Sequence, residues 1–293
     1  MRWPVGLRRN NAGMGRITGQ HQRAAGHGLI QRAGLRQRRG MPASNPKTRA
    51  AAVDAPQTAA AFRTALAALA DPVRAQHSAR YFKTGKGEYG HGDVFAGAKV
   101  PQTRAVVRTF RKMPLGEVKK LLRSKVHEER LGALLILVHQ SQRGDNAHRQ
   151  ACFDLYMQNL RWVNNWDLVD SSAGQVVGAW LRDSGQSRAV LYKLARSKDL
   201  WERRVAMLAC SHFIGAKEST DALAIATLLL HDPHDLIHKA VGWMLREVGG
   251  RVGLDVLRGF LQRHAATMPR TALRYAIEKL GPAERKRWMA MAG

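Results

Sequence analysis

The chain has 293 residues, of which 45% are hydrophobic, and it carries a formal net charge of +26. This length and apolar content suffice for a full hydrophobic core, while the lack of a long apolar run argues against a membrane protein. Only two cysteines occur, Cys152 and Cys210, far apart in apolar helical sequence. Neither their spacing nor their context suggests a disulfide framework or a metal site, and a reducing cytoplasm fits this usage.

Residues 1–53 differ in composition from the rest of the chain. They hold eleven of the 48 lysines and arginines and none of the 22 acidic residues. We expect a disordered basic tail, and two alternatives stay open: a transit peptide, although the segment is not clearly amphipathic, or a start codon placed too early, since Met41 begins a more ordinary amino terminus. The predicted folded domain, residues 54–293, keeps 37 basic against 22 acidic residues, a net charge of +15, which favours a polyanionic partner.

Helices are predicted throughout this domain, and no run shows strand alternation. Leu, Ala, Val and Met recur at helical spacing, and prolines stand where helices are able to begin. We expect roughly twelve helices across residues 56–291, or about six helix pairs. The helical segments include 130–139, 173–181, 205–213 and 240–248, and the prolines are Pro101, Pro114, Pro233, Pro269 and Pro282.

The first distinctive stretch of the domain is the glycine-rich segment TGKGEYGHGD, residues 84–93. It lacks both the dinucleotide-binding fingerprint and the phosphate loop that ends in Gly-Lys-Ser/Thr. We expect a flexible connection, with contact to a DNA phosphate as the alternative.

The helix after Pro101 carries a basic face. Arg104, Arg108 and Arg111 recur at spacings of four and three, so they share one side of the helix, and further lysines and arginines follow between residues 112 and 125. Basic faces are often only solvated surface, but the overall charge excess favours phosphate contact here.

A repeat of about 37 residues organises the rest of the domain. Its copies start 37, 37 and 36 residues apart, and a period in this range is typical of stacked antiparallel helix pairs. The pattern predicts an all-α, right-handed-type superhelical solenoid of HEAT-like helix pairs with a concave basic face. The copies are KVHEERLGALL from Lys125, WVNNWDLVDSS from Trp162, DLWERRVAMLA from Asp199 and DLIHKAVGWML from Asp235.

Four functional candidates occupy matching places in these copies. Counted from each start as zero, Trp166 lies at offset four, Arg204 at offset five, and Asp170 and Trp243 at offset eight. Offsets four, five and eight share one face of a helix, so stacking is expected to bring these side chains onto one surface.

Ordinary structural roles remain open for each candidate. Tryptophans in repeat helices are usually partly buried core, which is how Trp162, Trp180, Trp201 and Trp288 are interpreted. Instead of a catalytic role, Asp170 has the alternative role of a surface residue or a helix cap. Asp167 has the alternative role of a structural carboxylate. Arg204 is alternatively an ion-pair partner of Asp170 or Glu202, while Arg203 is expected to face solvent. We expect His231, His234 and His238 to lie in a surface loop and not to be metal ligands, so no metal is assigned.

At these residues the chain resembles the DNA alkylation repair glycosylases of the AlkD type, which are built from HEAT-like repeats. The resemblance covers about residues 75–290. Each marker alone is weak, but their order and spacing are specific. The markers are FAGAKVPQTR from Phe95, NNWDLVD from Asn164, LWERRVAML from Leu200 and KAVGWMLRE from Lys239.

The resemblance implies roles for individual residues. By motif position, the family's catalytic aspartate falls on Asp170, its two site tryptophans on Trp166 and Trp243, and its phosphate-contacting arginine on Arg204. We add Arg104, Arg108, Arg111 and Lys239 to the predicted DNA phosphate-binding set. The basic tail and the glycine-rich segment depart from the family pattern.

The implied activity is a monofunctional DNA glycosylase of base excision repair, which hydrolyses the N-glycosidic bond of N3- or N7-alkylated purines in duplex DNA. No lysine matches a family position that forms a Schiff base, and an open concave surface implies processing without full extrusion of the base. The expected protein is a cytoplasmic monomer that associates with the nucleoid through DNA, with no cofactor, obligate protein partner or membrane contact. The alternatives are a noncatalytic repeat protein that binds nucleic acid or a protein partner through its basic concave face, and a scaffold unrelated to nucleic acid.

Overall fold

The computed structural model of the protein describes residues 55–291, so the predicted tail at residues 1–53 lies outside the described residues. The described part is a helical-repeat solenoid whose only extended pairing is one isolated bridge between Val94 and Val126. None of its helices is both long and apolar enough to span a bilayer. The helices are α1 (Ala59–Ala67), α2 (Pro72–Tyr81), α3 (Val100–Thr109), α4 (Leu115–Leu122), α5 (His127–Ser141), α6 (Asn146–Met157), α7 (Trp166–Asp170), α8 (Ala179–Asp183), α9 (Ala189–Ala195), α10 (Leu200–Gly215), α11 (Thr220–Leu228), α12 (Asp235–Arg251), α13 (Leu254–His264), α14 (Arg270–Ala276) and α15 (Pro282–Met291).

Helix starts follow the local signals in the sequence. The carboxylate of Asp71 accepts from the backbone N–H of Arg74 before α2, and Asp199 accepts from the first turn of α10. Such caps satisfy N–H groups that have no partner within the helix. Proline lies at or beside the first residue of several helices, as expected, at Pro101, Pro114, Pro269 and Pro282.

The segment between residues 166 and 183 accounts for one of the helices beyond the twelve expected. Instead of one continuous helix it comprises the five-residue α7, a turn at residues 171–172, a π-helical turn at Gly174–Gly178, and α8. π-Helical turns are rare and are frequently found near functional sites. The predicted helix at 173–181 is therefore present, but its backbone is not α-helical throughout.

Two arginines make the same pair of backbone contacts and each binds a buried aspartate. The Nη1 atoms of Arg130 and Arg203 each donate to the backbone carbonyls five and six residues earlier. Arg130 also binds Asp93 at 2.6 Å, and Arg203 binds Asp232 at 2.6 Å. The two arginines lie 73 residues apart, about two repeat lengths.

The expectation that Arg203 faces solvent was therefore wrong. Its side chain is only 13% exposed, and that of Asp232 is 3% exposed. An angle of about 100 degrees from Arg204 on one helix does not imply solvent, because the segment that contains Asp232, just before the next repeat copy, covers that side.

The interior of the described residues is a continuous apolar core that runs through the helices. Trp180, Trp201 and Trp288 are buried in the protein, and Trp162 packs partly against the core, as the core interpretation predicted. Both cysteines, Cys152 and Cys210, are buried free thiols.

Two glycines bring the π-helical turn unusually close to α10. A Cβ atom at Gly174 would lie 2.2 Å from the Ser211 Oγ, and one at Gly178 would lie 2.1 Å from the Ala209 carbonyl oxygen. At Gly178 the obstacle is backbone, so only glycine allows the two helices to meet at this separation, whereas at Gly174 the Ser211 hydroxyl would have to turn away. The contact fixes the helical segment that follows Asp170 against the helix that carries Arg204.

We predict that Gly178→Ala lowers the free energy of unfolding by about 1–3 kcal/mol, because the new methyl group meets backbone that has no room to yield. The measurement is urea denaturation followed by circular dichroism. Gly259→Ala is the matched control: Gly259 lies inside α13, and its Cβ would meet only the flexible Arg263 side chain at 3.9 Å. This control is expected to gain up to about 1 kcal/mol from helix propensity. Equal effects of the two substitutions would contradict the close-packing argument.

Candidate active site

The centre of the candidate site is a bidentate ion pair between Asp170 and Arg204. Asp170 is the last residue of α7, and Arg204 lies in the first turns of α10. The Arg204 Nε donates to Asp170 Oδ1 and its Nη2 to Asp170 Oδ2, each at 2.8 Å. The remaining Nη1 donates to the backbone carbonyl of Leu236 in α12. One guanidinium thus ties together three successive repeats.

The two partners of this pair differ in their access to solvent. Arg204 is 3% exposed, whereas the Asp170 side chain retains 13% exposure. Burial raises the pKa of Asp170, and the positive charge and hydrogen bonds of Arg204 oppose that rise. Because both carboxylate oxygens accept from the guanidinium, the geometry fits the ionised form of Asp170.

The sequence analysis assigned the guanidinium of Arg204 to a DNA phosphate, but in the structure this guanidinium binds Asp170. Of the two ion-pair partners left open for Arg204, Asp170 and not Glu202 is the one bound. These bonds use three of the five guanidinium N–H groups, and Arg204 is only 3% exposed, so a DNA phosphate has little access to it. Direct phosphate contact by Arg204 stays a prediction.

Trp166 begins α7, one helical turn before Asp170. The Asn165 side chain caps the helix by accepting from the Trp166 backbone N–H at 2.9 Å. The half-buried indole stacks on Phe82, with centroids 5.0 Å apart and an interplanar angle of 15°, and meets the edge of Tyr81 at 6.0 Å. The short helix therefore places the predicted tryptophan and the predicted aspartate on one side, as offsets four and eight implied.

Trp243 lies half-buried in α12, the helix that Arg204 reaches through Leu236. Seven residues, or about 10 Å along an ideal helix, separate Leu236 from Trp243, so the two lie on the same side of α12. The neighbouring Gly242 has no space for a Cβ, which would lie 2.3 Å from the Ala272 carbonyl oxygen. This close approach to α14 fixes α12 and with it the position of Trp243.

The other predicted phosphate ligands occupy two places. Arg104, Arg108 and Arg111 are exposed on and just after α3, and they form no ion pair with any residue between 55 and 291. Lys239 is bound to Asp235 of the same helix at 2.7 Å. Their contact with DNA stays a prediction.

A buried charge network lies beneath α7, and the sequence analysis missed it. Asp93, at the end of the glycine-rich segment, binds Arg130 at 2.6 Å and His127 Nδ1 at 3.0 Å. The other ring nitrogen of His127 binds Asp167 at 2.8 Å. The expected flexible connection is thus anchored at this end, and Asp167 has the structural role left open for it. The signal was the pair His127 and Arg130 in the first repeat copy, beside an acidic residue that follows glycines.

The network is electrically balanced only when His127 is protonated. Burial lowers the pKa of His127, but the Asp167 and Asp93 carboxylates outweigh burial and raise it to about 9. Both ring nitrogens face carboxylate oxygens, so both act as donors, which requires the imidazolium form. Two carboxylates then face two cations, and Asp167 gives α7 a second ionic contact besides the one between Asp170 and Arg204.

In the part of the chain that the structure describes, no group of three or more His, Cys, Asp and Glu side chains is placed to hold a metal ion. Of the three neighbouring histidines, His234 Nδ1 accepts from the Leu236 backbone N–H, and His238 Nε2 lies 2.5 Å from the Asp232 carbonyl.

We predict that His127→Gln costs more stability at pH 6 than at pH 9.5. A folded-state pKa above the ordinary value of 6.5 means that the stabilisation is complete below pH 6.5 and is lost as pH rises through about 9. Each pKa unit corresponds to about 1.4 kcal/mol, so the pH-dependent part is on the order of 3 kcal/mol. Urea unfolding at both pH values measures it. The exposed His77 provides the control, His77→Gln, and an equal loss at both pH values for His127→Gln would refute the protonated network.

The comparisons with known proteins agree with this arrangement. The family model of the DNA alkylation repair enzymes matches residues 62–280. Among solved structures, a predicted DNA alkylation repair enzyme from Enterococcus faecalis is 18% identical, with a TM-score of 0.58 over 73% of this chain and 97% of that chain, and this likeness bears on the fold alone. No curated protein sequence matches the chain. Because the family match spans most of its length, the protein belongs to the DNA alkylation repair enzyme family.

Proposed function

We propose that this repair enzyme is a monofunctional DNA glycosylase that hydrolyses the N-glycosidic bond of N3- or N7-alkylated purines in duplex DNA. The observation that carries the proposal is the half-buried carboxylate of Asp170, fixed by two parallel bonds from Arg204 one turn after the Trp166 indole. We further propose that it acts as a cytoplasmic monomer on DNA.

The chemistry explains why such a carboxylate is sufficient. A purine alkylated at N3 or N7 is positively charged, which weakens its bond to the sugar and makes the neutral base a good leaving group. A strong general acid is therefore not required. The enzyme must stabilise the sugar as it becomes an oxocarbenium ion and must direct a water molecule to it, and a fixed carboxylate does both.

Asp170 suits this task because its carboxylate is fixed in position and only partly exposed to water. Arg204 orients both oxygens, and each carboxylate oxygen keeps lone pairs beyond those that the guanidinium uses. The side chain remains 13% exposed, which leaves an edge for a sugar or a water molecule. In this proposal Arg204 acts through Asp170, and DNA phosphates are contacted by Arg104, Arg108, Arg111 and Lys239.

Trp166 and Trp243 serve as walls of the site. The electron-rich face of an indole attracts a cationic sugar or base, and each such contact contributes about 0.5–2 kcal/mol, depending on how much water is excluded. Their half-burial leaves part of each ring available to a substrate while the rest is fixed by packing.

We predict that Asp170→Asn lowers single-turnover release of methylated purines from duplex DNA by at least a hundredfold, because the asparagine offers no negative charge to the sugar. Affinity for undamaged duplex should change less than threefold. Asp221→Asn is the matched control, since it removes a partly buried carboxylate that Arg188 binds at 2.7 Å outside the site. Unchanged release by an Asp170→Asn variant that still binds DNA would eliminate the assigned mechanism.

Arg204→Lys separates the two roles assigned to this arginine. If Arg204 positions Asp170, the lysine variant keeps its DNA affinity but releases base about ten- to a hundredfold more slowly, because a point charge does not hold both oxygens. If Arg204 binds phosphate instead, affinity falls and the rate at saturation is retained. Binding isotherms and single-turnover rates on the same alkylated duplex decide between these outcomes.

The assay also tests the alternative functions. Tight DNA binding without release of any alkylated base would support a noncatalytic DNA-binding protein. Association with DNA that depends little on salt concentration would support a scaffold unrelated to nucleic acid, because phosphate contacts require a steep dependence.

A further inference from the structure

Asp93, at the end of the glycine-rich segment, gathers four side-chain partners around one buried carboxylate. Its Oδ1 accepts from Arg130 Nη2 at 2.6 Å and from Asn164 Nδ2 at 3.3 Å. Its Oδ2 lies 3.0 Å from His127 Nδ1 and accepts from Asn165 Nδ2 at 3.3 Å. The side chain is only 3% exposed, so water contributes little to this arrangement. The two asparagines directly precede α7, and the carboxylate therefore contacts the entry to this helix across 71 and 72 residues of chain.

The first connection from Asp93 to α7 is the side chain of Asn165, which is fully buried. Its Nδ2 faces Asp93, and its Oδ1 accepts from the backbone N–H of Trp166 at 2.9 Å. Burial raises the pKa of Asp93, but the His127 bond and the Arg130 charge outweigh burial and hold it below its ordinary value, so the carboxylate is ionised. An ionised carboxylate only accepts hydrogen bonds, so the amide nitrogen and not the amide oxygen has to face it. Asp93 thereby turns the Asn165 oxygen toward the N–H group that it caps.

The second connection runs through His127. Its two ring nitrogens bridge Asp93, at 3.0 Å, and Asp167 in the first turn of α7, at 2.8 Å. The centroid of the imidazole lies 5.0 Å from that of Phe82, the ring that stacks on the Trp166 indole. His127 is thus linked to α7 both through a carboxylate and through a ring that packs on the site tryptophan.

Asp93 is itself fixed by backbone bonds on both sides. Its N–H donates to the Gly90 carbonyl at 3.1 Å. The next residue, Val94, donates to the Lys125 carbonyl at 3.3 Å and accepts from the backbone N–H of His127 at 2.8 Å, and these two bonds form the isolated bridge. α7 has no comparable support of its own, because a helix of five residues forms few internal hydrogen bonds. The start of α7 therefore depends on a carboxylate whose backbone is held elsewhere.

We propose that Asp93 is a positioning residue that acts through Asn165 and His127 to fix the start of α7. The Trp166 indole and the Asp170 carboxylate, one turn apart on α7, keep their places only while these contacts are intact. The catalytic consequence rests on the proposed function, whereas the structural claim does not. The proposal gives the end of the glycine-rich segment a role other than that of a connection or a phosphate contact.

The test uses two variants and one control. Asp93→Asn keeps the size of the side chain but removes its charge and one of its two acceptor oxygens. Asn165→Ser is the milder variant: its hydroxyl is able to cap Trp166, but it has no amide to donate to Asp93, and the buried ion pair of Asp93 is left in place. Asp221→Asn is the control, since it removes a partly buried carboxylate that Arg188 binds at 2.7 Å outside the site.

The first readout is hydrogen–deuterium exchange of the full chain, followed by mass spectrometry of peptides that cover α7. We expect exchange in α7 to accelerate at least tenfold in Asp93→Asn and at least threefold in Asn165→Ser, because the helix loses its fixed start. Exchange in α13 should stay unchanged, which separates a local effect from general destabilisation, and Asp221→Asn should leave α7 as in the wild type. Unchanged exchange in α7 in the folded variants would overturn the inference. If Asp93→Asn does not fold, Asn165→Ser decides alone.

The second readout is single-turnover base release from alkylated duplex at saturating enzyme, measured beside affinity for undamaged duplex. We expect release to slow at least tenfold in Asp93→Asn and at least threefold in Asn165→Ser, with affinity changed less than threefold in both, because the site loses its alignment and not its DNA contacts. Unchanged release despite faster exchange in α7 would overturn the positioning role and leave the glycosylase proposal intact. A wild type that releases no base would refute the glycosylase proposal alone, because the exchange readout still tests whether Asp93 fixes α7.

Discussion

The candidate site depends on keeping a carboxylate charged where water is scarce. Burial disfavours the negative form of Asp170, and Arg204 compensates with a full positive charge and two hydrogen bonds. Arg204 is itself buried, and its remaining guanidinium nitrogen is satisfied by the Leu236 carbonyl. The arrangement follows the general requirement that buried charges be both paired and hydrogen-bonded, since an unpaired partner costs several kcal/mol. An anion held in this way can act on a cationic transition state without first losing a large shell of water.

Backbone packing makes this pairing geometrically possible. Gly174 and Gly178 allow the π-helical turn to lie against α10, and Gly242 allows α12 to lie against α14. In each case a methyl group would occupy the space of a backbone carbonyl oxygen or a neighbouring side chain. The site residues therefore sit beside glycines that have no chemical role of their own. Distances within the ion pair are set by helix separations, which those glycines fix.

Much of this arrangement could be predicted from the repeat. The period of about 37 residues indicated the helical solenoid, and the matching offsets indicated that Trp166, Asp170 and Arg204 belong to one region. The offsets did not specify which partner Arg204 binds, because a guanidinium fits a phosphate and a carboxylate equally well. The expectation that Arg203 faces solvent was wrong, because the angle between neighbouring side chains on one helix does not show what packs against each side of that helix. The contacts of Tyr89 and Asp93 were not predicted, because a glycine-rich composition suggests flexibility. Both side chains contact residues far along the chain, which local sequence does not reveal.

The brevity of α7 has a mechanical consequence. Five residues provide hardly any internal helical hydrogen bonds, so the segment cannot hold its own orientation. Instead it is held by two ionic contacts, one between His127 and Asp167 and one between Arg204 and Asp170. The direction of the Asp170 carboxylate is therefore set by side chains that come from other repeats, and not by the helix that carries it.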